Sequence, residues 1–154
     1  MNSDPAPSIA GRLSRWRSRF SISRTKSKPA HLQRGKRGED LACRFLRRRG
    51  YKILYRNFRG RRGGEIDIVC RDRDTLVFVE VKTRADETLR RPIEDLRHDQ
   101  RARITVGGLA WLRLLDNPDI LFRFDVVEVV LAEDEPPRFE LVRNAFQLAD
   151  SYIY

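Results

Sequence analysis

Cysteine and histidine are scarce in this chain of 154 residues, which contains two of each. Cys43 falls in a predicted helix and Cys70 at a predicted strand end, so both are expected to be small buried side chains rather than a disulfide. With only His31 and His98 beside them, the sequence has no zinc-ligand spacing. Any metal that this protein binds is therefore expected to have oxygen ligands.

Long apolar runs are missing as well. No stretch approaches the roughly 18 consecutive apolar residues that a membrane-spanning helix needs. No apolar block follows the first basic residues, as it would in a secretory signal peptide. Because 40% of the residues are hydrophobic, the chain can still form one core of ordinary size. We therefore expect a protein of one main domain that stays in the cytoplasm and has no membrane partner.

Acidic residues are rare in the first 62 positions. Residues 1–33 contain seven Arg or Lys and one acid, and residues 34–62 contain twelve and two. Residues 63–154 contain thirteen Arg or Lys and nineteen acids. The net charge of +10 therefore lies entirely in the N-terminal part. This asymmetry predicts a basic surface that meets a polyanion such as nucleic acid. The alternative is that the basic residues only keep the protein in solution.

The chain has no sustained hydrophobic period before residue 34. Residues 1–33 contain three prolines among scattered serines and arginines, a composition typical of disordered segments. We interpret residues 1–33 as a basic, disordered tail, with an organelle transit peptide around residues 12–20 as the alternative. Residues 34–154 are then expected to form an α/β domain.

The remaining sequence alternates between helical and strand periods. The pattern predicts a helix from Gly35 to about residue 49, strands at 51–58, 65–70 and 75–83, a helix from Pro92 to about Leu115, and strands at 121–130 and 138–146. Gly50 stands where a helix-terminating glycine is expected. This order indicates an α/β domain in which helices cover a mixed sheet.

The strand at 75–83, TLVFVEVKT, carries charges at Glu80 and Lys82 where apolar residues are expected. Because side chains alternate along a strand, both charges should emerge on one face. On the preceding strand, Asp67 is expected to share a face with Val69. A two-residue hairpin turn would place Asp67 opposite Glu80, and a four-residue loop would place it opposite Phe78. Either register puts Asp67 on the face of Glu80 and Lys82.

Opposed carboxylates of this kind repel each other unless a cation lies between them. Mg²⁺, or Mn²⁺ as an alternative, would offset the repulsion, since Mg²⁺ is commonly held by one or two carboxylates. Lys82 could then orient a water molecule or take up a proton. The alternative is an ordinary charged patch on the solvated face of a sheet. The GEID segment around Asp67, which follows a glycine-rich loop, favours the metal site.

Three segments of the chain resemble the YraN family of bacterial proteins. They are GKRGEDLACRFLRRRGYKILYRNFR, GGEIDIVCRDRDTLVFVEVKTR and RFDVVEVV, and a late NAF follows them. The signature of that family is similar to the PD-(D/E)XK nuclease superfamily, particularly to Holliday junction resolvase-like endonucleases. The resemblance runs from about residue 35 to 146. It implies a restriction-endonuclease-like mixed sheet, with an α-β-β-β-α-β core flanked by helices.

The resemblance also implies roles for residues of the two central strands. Asp67 and Glu80 would be the acidic metal ligands, assisted by the backbone carbonyl of Val81, and Lys82 would be the catalytic lysine. Ile66 stands before Asp67 in place of the proline in the superfamily's name. This departure weakens the motif little.

Two helical residues receive roles from the same resemblance. Glu39 would approach the metal from the first helix through water, although a glutamate favoured by the helix dipole is the alternative. Gln100 would support catalysis or face the substrate, although a buried glutamine bonded to the backbone is the alternative. Asp99 stands where relatives tend to have lysine, which removes one phosphate contact.

These features together predict a Mg²⁺-dependent endonuclease acting on DNA, including branched or junction DNA. Arg61, Arg62 and Arg84 would hold flanking phosphates, or would be solvated surface charges. A homodimer would match the two-fold symmetry of a junction. Two alternatives are a nucleic-acid-binding module without catalysis and a scaffold that docks partners through Trp16 and Phe20.

Overall fold

The structure is a computed structural model that describes residues 30–85 and 96–148. Its elements in chain order are helix α1 (Ala30–Arg48), strands β1 (Lys52–Arg59), β2 (Glu65–Asp72) and β3 (Thr75–Arg84), helix α2 (His98–Leu114), and strands β4 (Phe122–Val130) and β5 (Arg138–Phe146). The predicted order of helices and strands is confirmed. Most of the predicted tail, residues 1–29, and residues 92–95 of the predicted second helix lie outside the described residues. Residues 96 and 97 are not helical, so the predicted helix was wrong there, and α2 begins at His98.

Helix α1 begins at Ala30, five residues before the predicted start at Gly35. The added turn has no hydrophobic period because its side chains from Leu32 to Arg34 are exposed. The predicted end is confirmed, since Gly50 follows the helix with a φ of 87°. Neither described helix is long and apolar enough to cross a membrane.

The five strands form one sheet in the order β1-β2-β3-β4-β5. Neighbouring strands are antiparallel except for β3 and β4, which are parallel. A parallel pair needs a crossover connection, and α2 lies in the chain between these two strands. The architecture confirms the predicted α/β class and is consistent with a restriction-endonuclease-like sheet flanked by helices.

Each face of the sheet has its own core. The face under α2 packs around Phe78, Trp111 and Phe124. The face under α1 contains the two cysteines, which are buried and free as predicted, next to Leu46. Because both faces are covered, the central strands are apolar on both sides, which explains the nearly continuous hydrophobic run at the start of β3.

The hairpin of β2 and β3 adopts the first of the two predicted registers. Its ladder runs from the pair Asp72–Thr75 to the pair Ile68–Val79. Arg73 therefore belongs to a two-residue turn, where its φ of 53° is of the kind that such turns require. The four-residue loop is excluded.

The alternation of side chains breaks close to Asp67. Ile66 and Val69 lie in the same core cluster although they are three residues apart, and so do Tyr55 and Phe58 of the neighbouring strand β1. The prediction that Asp67 shares a face with Val69 by simple alternation was therefore wrong.

The physical reason is a local irregularity in β1 and β2, between two neighbouring residue pairs of their ladder. Arg56 pairs with Ile68, and Phe58 pairs with Ile66. Between them lies Asn57, with a left-handed φ of 54°. The irregularity turns this part of β2 and so changes the direction in which Asp67 points.

Candidate metal and nucleic-acid site

A polar cleft of about 340 Å³ opens where α1 meets β2 and β3. Its lining residues come from all three elements and are Arg34, Gly35, Glu39, Asp67, Glu80, Val81 and Thr83. The cleft contains every acidic residue that the sequence indicated as a metal ligand. These acids lie far apart in the sequence, so the packing of α1 on the sheet brings them together.

Asp67 is held in place by a neighbouring strand. Its Oδ2 accepts a hydrogen bond from the backbone N–H of Val81 at 2.8 Å. Burial, and next the charge of Glu80, raise the pKa of Asp67 to about 8 against the opposing effect of the Val81 hydrogen bond. The charged form of Asp67 is thus disfavoured unless a cation approaches.

Glu80 and Lys82 form an ion pair beside Asp67. The Nζ of Lys82 donates to Oε1 of Glu80 at 3.0 Å, and both side chains are largely buried, with 18% and 15% of their surface exposed. The prediction that these two charges share a face is confirmed. Of the three residues, Asp67 and Glu80 line the cleft, whereas Lys82 adjoins it through its contact with Glu80.

Glu39 reaches the cleft from α1. Its charge contributes to the raised pKa of Asp67, so the two carboxylates are close enough to interact. The Oε2 of Glu39 also lies 3.8 Å from Nη2 of Arg56 on β1, and Asp40 is closer to the same guanidinium, at 2.7 Å. Glu39 is therefore part of the acidic site and is also drawn toward Arg56.

The approach of α1 to β3 depends on Gly38. A Cβ atom at this position would overlap the hydroxyl and the Cβ of Thr83. Only glycine allows the helix to lie this close to the strand. Because Glu39 is the next residue, this contact also sets the distance of its carboxylate from the two acids of the sheet.

The donor set of the cleft suits a hard cation bound by few protein ligands. Among residues 30–85 and 96–148, no three His, Cys, Asp or Glu side chains converge on one metal position. A metal here would rest on the carboxylates of Asp67 and Glu80, with a backbone carbonyl and water completing its coordination. Mg²⁺ is commonly bound in this way, so the residues present fit it.

Gln100 lies at the start of α2 and is not among the residues that line the cleft. Its Oε1 accepts a long hydrogen bond of 3.4 Å from the backbone N–H of Arg97, at the N-terminus of the helix. This contact is one half of a capping box, because the Arg97 side chain has only donors and cannot accept the reciprocal bond. The structure therefore favours a backbone-bonded glutamine, and the catalytic role stays a prediction.

The predicted phosphate-binding arginines differ in their surroundings. Arg61 and Arg62 are exposed at the tip of a closed turn, in which the N–H of Gly60 donates to the carbonyl of Gly64 at 2.7 Å. They do not line the cleft but stand on the side of the sheet where β2 begins. Their role in phosphate binding stays a prediction.

Arg84 is engaged within the fold. Its Nε lies 2.5 Å from Oε1 of Glu128 on β4, and the two side chains are only 14% and 11% exposed. The side chain is thus neither a solvated surface charge nor freely presented to a phosphate. Glu128, which the sequence analysis did not single out, explains why this arginine is held inside.

Other residues of the site were also missed by the sequence analysis. Arg34 and Thr83 line the cleft, but no local pattern marks them, since their positions depend on how α1 packs. Asn57 had a weak signal, because asparagine is enriched among residues with positive φ. Its place opposite Asp67 could be recognised only from the pairing of β1 with β2.

Comparison with known proteins identifies the family of the chain. A profile of UPF0102, described as an uncharacterised protein family, matches residues 38–129, which include all the acids of the cleft. A UPF0102 protein of Geobacter sulfurreducens is 46% identical to this chain over 115 residues, which is 75% of this chain and 89% of the relative. A UPF0102 protein of Geobacter metallireducens is 44% identical over 115 residues, which is 75% of this chain and 93% of the relative. A relative from Syntrophus aciditrophicus is 43% identical over 119 residues, 77% of this chain and 92% of its own. This chain therefore belongs to the uncharacterised protein family UPF0102, the YraN family.

Proposed function

We propose that this protein is a divalent-metal-dependent endonuclease that hydrolyses phosphodiester bonds in DNA, including branched or junction DNA. The observation that carries the proposal is a polar cleft lined by Asp67 and Glu80, with Lys82 paired to Glu80 beside it. Two acids and an amine, supported by neighbouring strands, are a donor set suited to metal-assisted hydrolysis. The basic side chains at the cleft, Arg34 in its lining and Lys82 beside Glu80, suit a substrate made of phosphates.

Mg²⁺, or Mn²⁺, is the ion that this proposal assigns to the cleft. Asp67, Glu80 and the backbone carbonyl of Val81 would hold it, and Glu39 would act through water. When bound, the ion supplies positive charge and Lewis acidity next to the phosphate. The raised pKa of Asp67 supports this assignment, because a cation would offset the unfavourable charge of the two neighbouring carboxylates.

The protein's own residues prepare the site before a substrate arrives. The hydrogen bond from Val81 fixes the direction of the Asp67 carboxylate, so that no rotamer has to be selected later. Lys82 has three N–H donors, of which one is directed to Glu80. The others can orient the attacking water or stabilise a phosphate oxygen. In the hydrolysis, the water oxygen bonds to phosphorus and gives its proton to solvent as the bond to the leaving sugar oxygen breaks, and that oxygen takes up a proton from solvent.

A cleavage assay on DNAs of different shape tests the proposal. Linear, flapped and four-way DNAs are incubated with the protein in Mg²⁺, in Mn²⁺ or in chelator, and products are separated by size. We expect products that need the metal, and strongest cleavage of a branched substrate. Cutting of both strands at a four-way junction would require two copies, so the mass of the complex is measured as well. No metal-dependent product on any DNA would overturn the proposal.

Matched variants connect the activity with the site. Glu80→Gln and Lys82→Met should reduce cleavage by at least about 100-fold, as expected when a general acid–base or metal-holding group is removed. Lys52→Met, an exposed lysine on β1, and Asp119→Asn, an exposed aspartate, are the controls and should keep full activity. Unchanged cleavage by the Glu80 and Lys82 variants would remove both residues from the mechanism.

The second candidate function is nucleic-acid binding without catalysis. Arg34, which is exposed and lines the cleft, favours this candidate, because its charge does not depend on a metal. It predicts binding whose log affinity falls linearly with log salt, and no metal-dependent product. The same assay distinguishes the two, since a pure binding module would retain every DNA uncut.

A further inference from the structure

The outward face of α1 is cationic along most of its length. Six of its exposed side chains are basic and form what we call the α1 basic stripe: Arg34, Lys36, Arg37, Arg44, Arg47 and Arg48. The acids of the helix, Glu39 and Asp40, are only partly exposed and interact with Arg56 of β1. The charge of the stripe is therefore not cancelled by acids on its own helix.

The fold does not use these charges. Among residues 30–85 and 96–148, no member of the α1 basic stripe forms an ion pair, whereas Arg56, Arg84 and Arg123 all do. Arg44 and Arg48 are four residues apart, so they repel each other on the helix surface. Like charges at this spacing oppose helix formation. Arg34 and Arg37 share a second cleft with three acids of the loop between β4 and β5, namely Glu133, Asp134 and Glu135. Arg44, Arg47 and Arg48 lie outside that cleft and form no ion pair in the described residues, so these three charges are suited to an external anion.

The length and position of the stripe match a nucleic-acid backbone. At a rise of about 1.5 Å per residue, Arg34 to Arg48 spans about 21 Å. A DNA strand in a duplex presents a phosphate about every 3.4 Å, so this length corresponds to about six phosphates. Arg34 also lines the polar cleft. The stripe thus begins at the cleft and runs away from it along one rigid helix.

We propose that the α1 basic stripe is the docking surface for the sugar–phosphate backbone of a duplex arm that extends from the cleft. The direction of this arm rests on the proposed function, but the binding itself does not. Phe45, which is the one Phe, Tyr or Trp of α1, is stacked on Phe139 with ring centroids 4.7 Å apart. The stripe therefore offers charge and no stacking surface, so it recognises phosphates rather than bases.

An anionic lipid surface is a poorer match for the stripe. Helices that lie on membranes combine basic residues with a continuous apolar face that enters the lipid. The apolar face of α1 is already buried on the sheet, around Ala42 and Leu46. Leu32, 47% exposed, is the one large apolar side chain of α1 among those open to solvent in the described part of the chain. The structure accordingly favours a nucleic-acid backbone.

Two variants with the same loss of charge test the proposal. The stripe variant and the control variant each replace three exposed arginines by glutamine: Arg44→Gln, Arg47→Gln and Arg48→Gln in the first, and Arg71→Gln, Arg73→Gln and Arg113→Gln in the second. The stripe substitutions leave all cleft-lining residues unchanged. The control positions lie on the β2–β3 hairpin and at the end of α2. Circular dichroism melting confirms that both variants are folded.

Binding is measured by fluorescence anisotropy in chelator, with a labelled duplex of about 20 base pairs, which is longer than the stripe. The stripe variant should lose at least tenfold in affinity at about 0.1 M salt, and its slope of log affinity against log salt should fall by about 2.7. The control variant should change affinity less than threefold. Equal weakening of both variants, or of neither, would overturn the proposal. The proposal would also be overturned if the wild-type protein bound vesicles of anionic phospholipid more tightly than the duplex and the stripe variant lost this vesicle binding.

The outcome is separable from that of the proposed function, because chelator removes any metal-dependent cleavage. Duplex binding that needs the stripe, without cleavage by the metal-loaded protein, would support this inference and overturn the endonuclease. If the stripe variant keeps both its cleavage activity and its duplex affinity, the endonuclease is supported and this inference is overturned.

Discussion

The carboxylate of Asp67 accepts a hydrogen bond from the backbone N–H of Val81, with 2.8 Å between Oδ2 and N. This bond joins β2 to β3 beyond the ladder pair of Ile68 and Val79. A side-chain oxygen here takes the part that a backbone carbonyl takes in a regular ladder. The acidic site thus depends on a local break in the sheet, and its stability and geometry can be tested at that break.

The stability of the metal-free protein should fall as the pH rises, because of Asp67. Burial and the charge of Glu80 raise the pKa of Asp67 to about 8 in the folded protein, against about 3.9 in an unfolded chain. Between these values the folded state binds more protons than the unfolded state, so the stabilising effect of protonation is complete below about pH 4 and is lost by about pH 8. Asp67→Asn removes this dependence and keeps an oxygen for Val81. Above about pH 8 the variant should be the more stable protein, by about 2 kcal/mol or more.

Urea denaturation in chelator at about pH 5 and about pH 9 measures this difference. Asp119→Asn, at an exposed aspartate, is the control and should follow the wild-type curve. Parallel curves for wild type and Asp67→Asn would contradict a raised pKa.

Gly38→Ala should destabilise the protein, because the new Cβ overlaps the side chain of Thr83. We expect a loss of about 1–3 kcal/mol in the free energy of unfolding, as for other overpacked contacts. Gly35→Ala, at a helical position with no atom near its added Cβ, should instead stabilise α1 by up to about 1 kcal/mol. Adding Thr83→Ala to Gly38→Ala should restore part of the loss. A Gly38→Ala variant as stable as Gly35→Ala would show that α1 does not lie this close to β3.

Asn57 should tolerate glycine better than valine. Its φ of 54° is readily adopted by glycine and costs a branched residue about 1–2 kcal/mol. Asn57 lies opposite Asp67 in the pairing of β1 with β2. The proposed metal site predicts that Mg²⁺ raises the melting temperature, and Asn57→Val is expected to weaken this effect whereas Asn57→Gly keeps it. Thermal melts with and without Mg²⁺ give both quantities. Equal stability of the two variants would mean that the left-handed conformation is not required.

Arg84 should contribute to stability rather than to DNA affinity, since it pairs with Glu128. A double-mutant cycle with Arg84→Gln and Glu128→Gln is expected to give a coupling energy of about 1 kcal/mol in the free energy of unfolding. In the anisotropy assay, Arg84→Gln should weaken DNA binding no more than Arg73→Gln, an exposed arginine of the β2–β3 turn. If Arg84→Gln kept full stability but bound DNA much more weakly, Arg84 would be a phosphate-binding residue.

The sequence by itself determined the order of helices and strands and the common face of Glu80 and Lys82. These features follow from periods of two and 3.6 residues, which are encoded within a few neighbouring positions. The end of α1 just before Gly50 could also be predicted from neighbouring positions. The hairpin register was narrowed to two choices, and only strand pairing decided between them.

The tertiary structure alone decided where Asp67 points, which residue holds Arg84, and that Arg34 reaches the cleft. The alternation of side-chain directions in β2 is broken at Asp67, because β2 pairs with β1 on one side and with β3 on the other and follows an irregularity in that pairing. The start of α2 at His98 likewise depends on a competition between the hydrophobic period and local hydrogen bonds, such as the one between Gln100 and the backbone of Arg97. Each of these positions is set by contacts between residues distant in the chain or by such competition, and a local hydrophobic period carries no information about either.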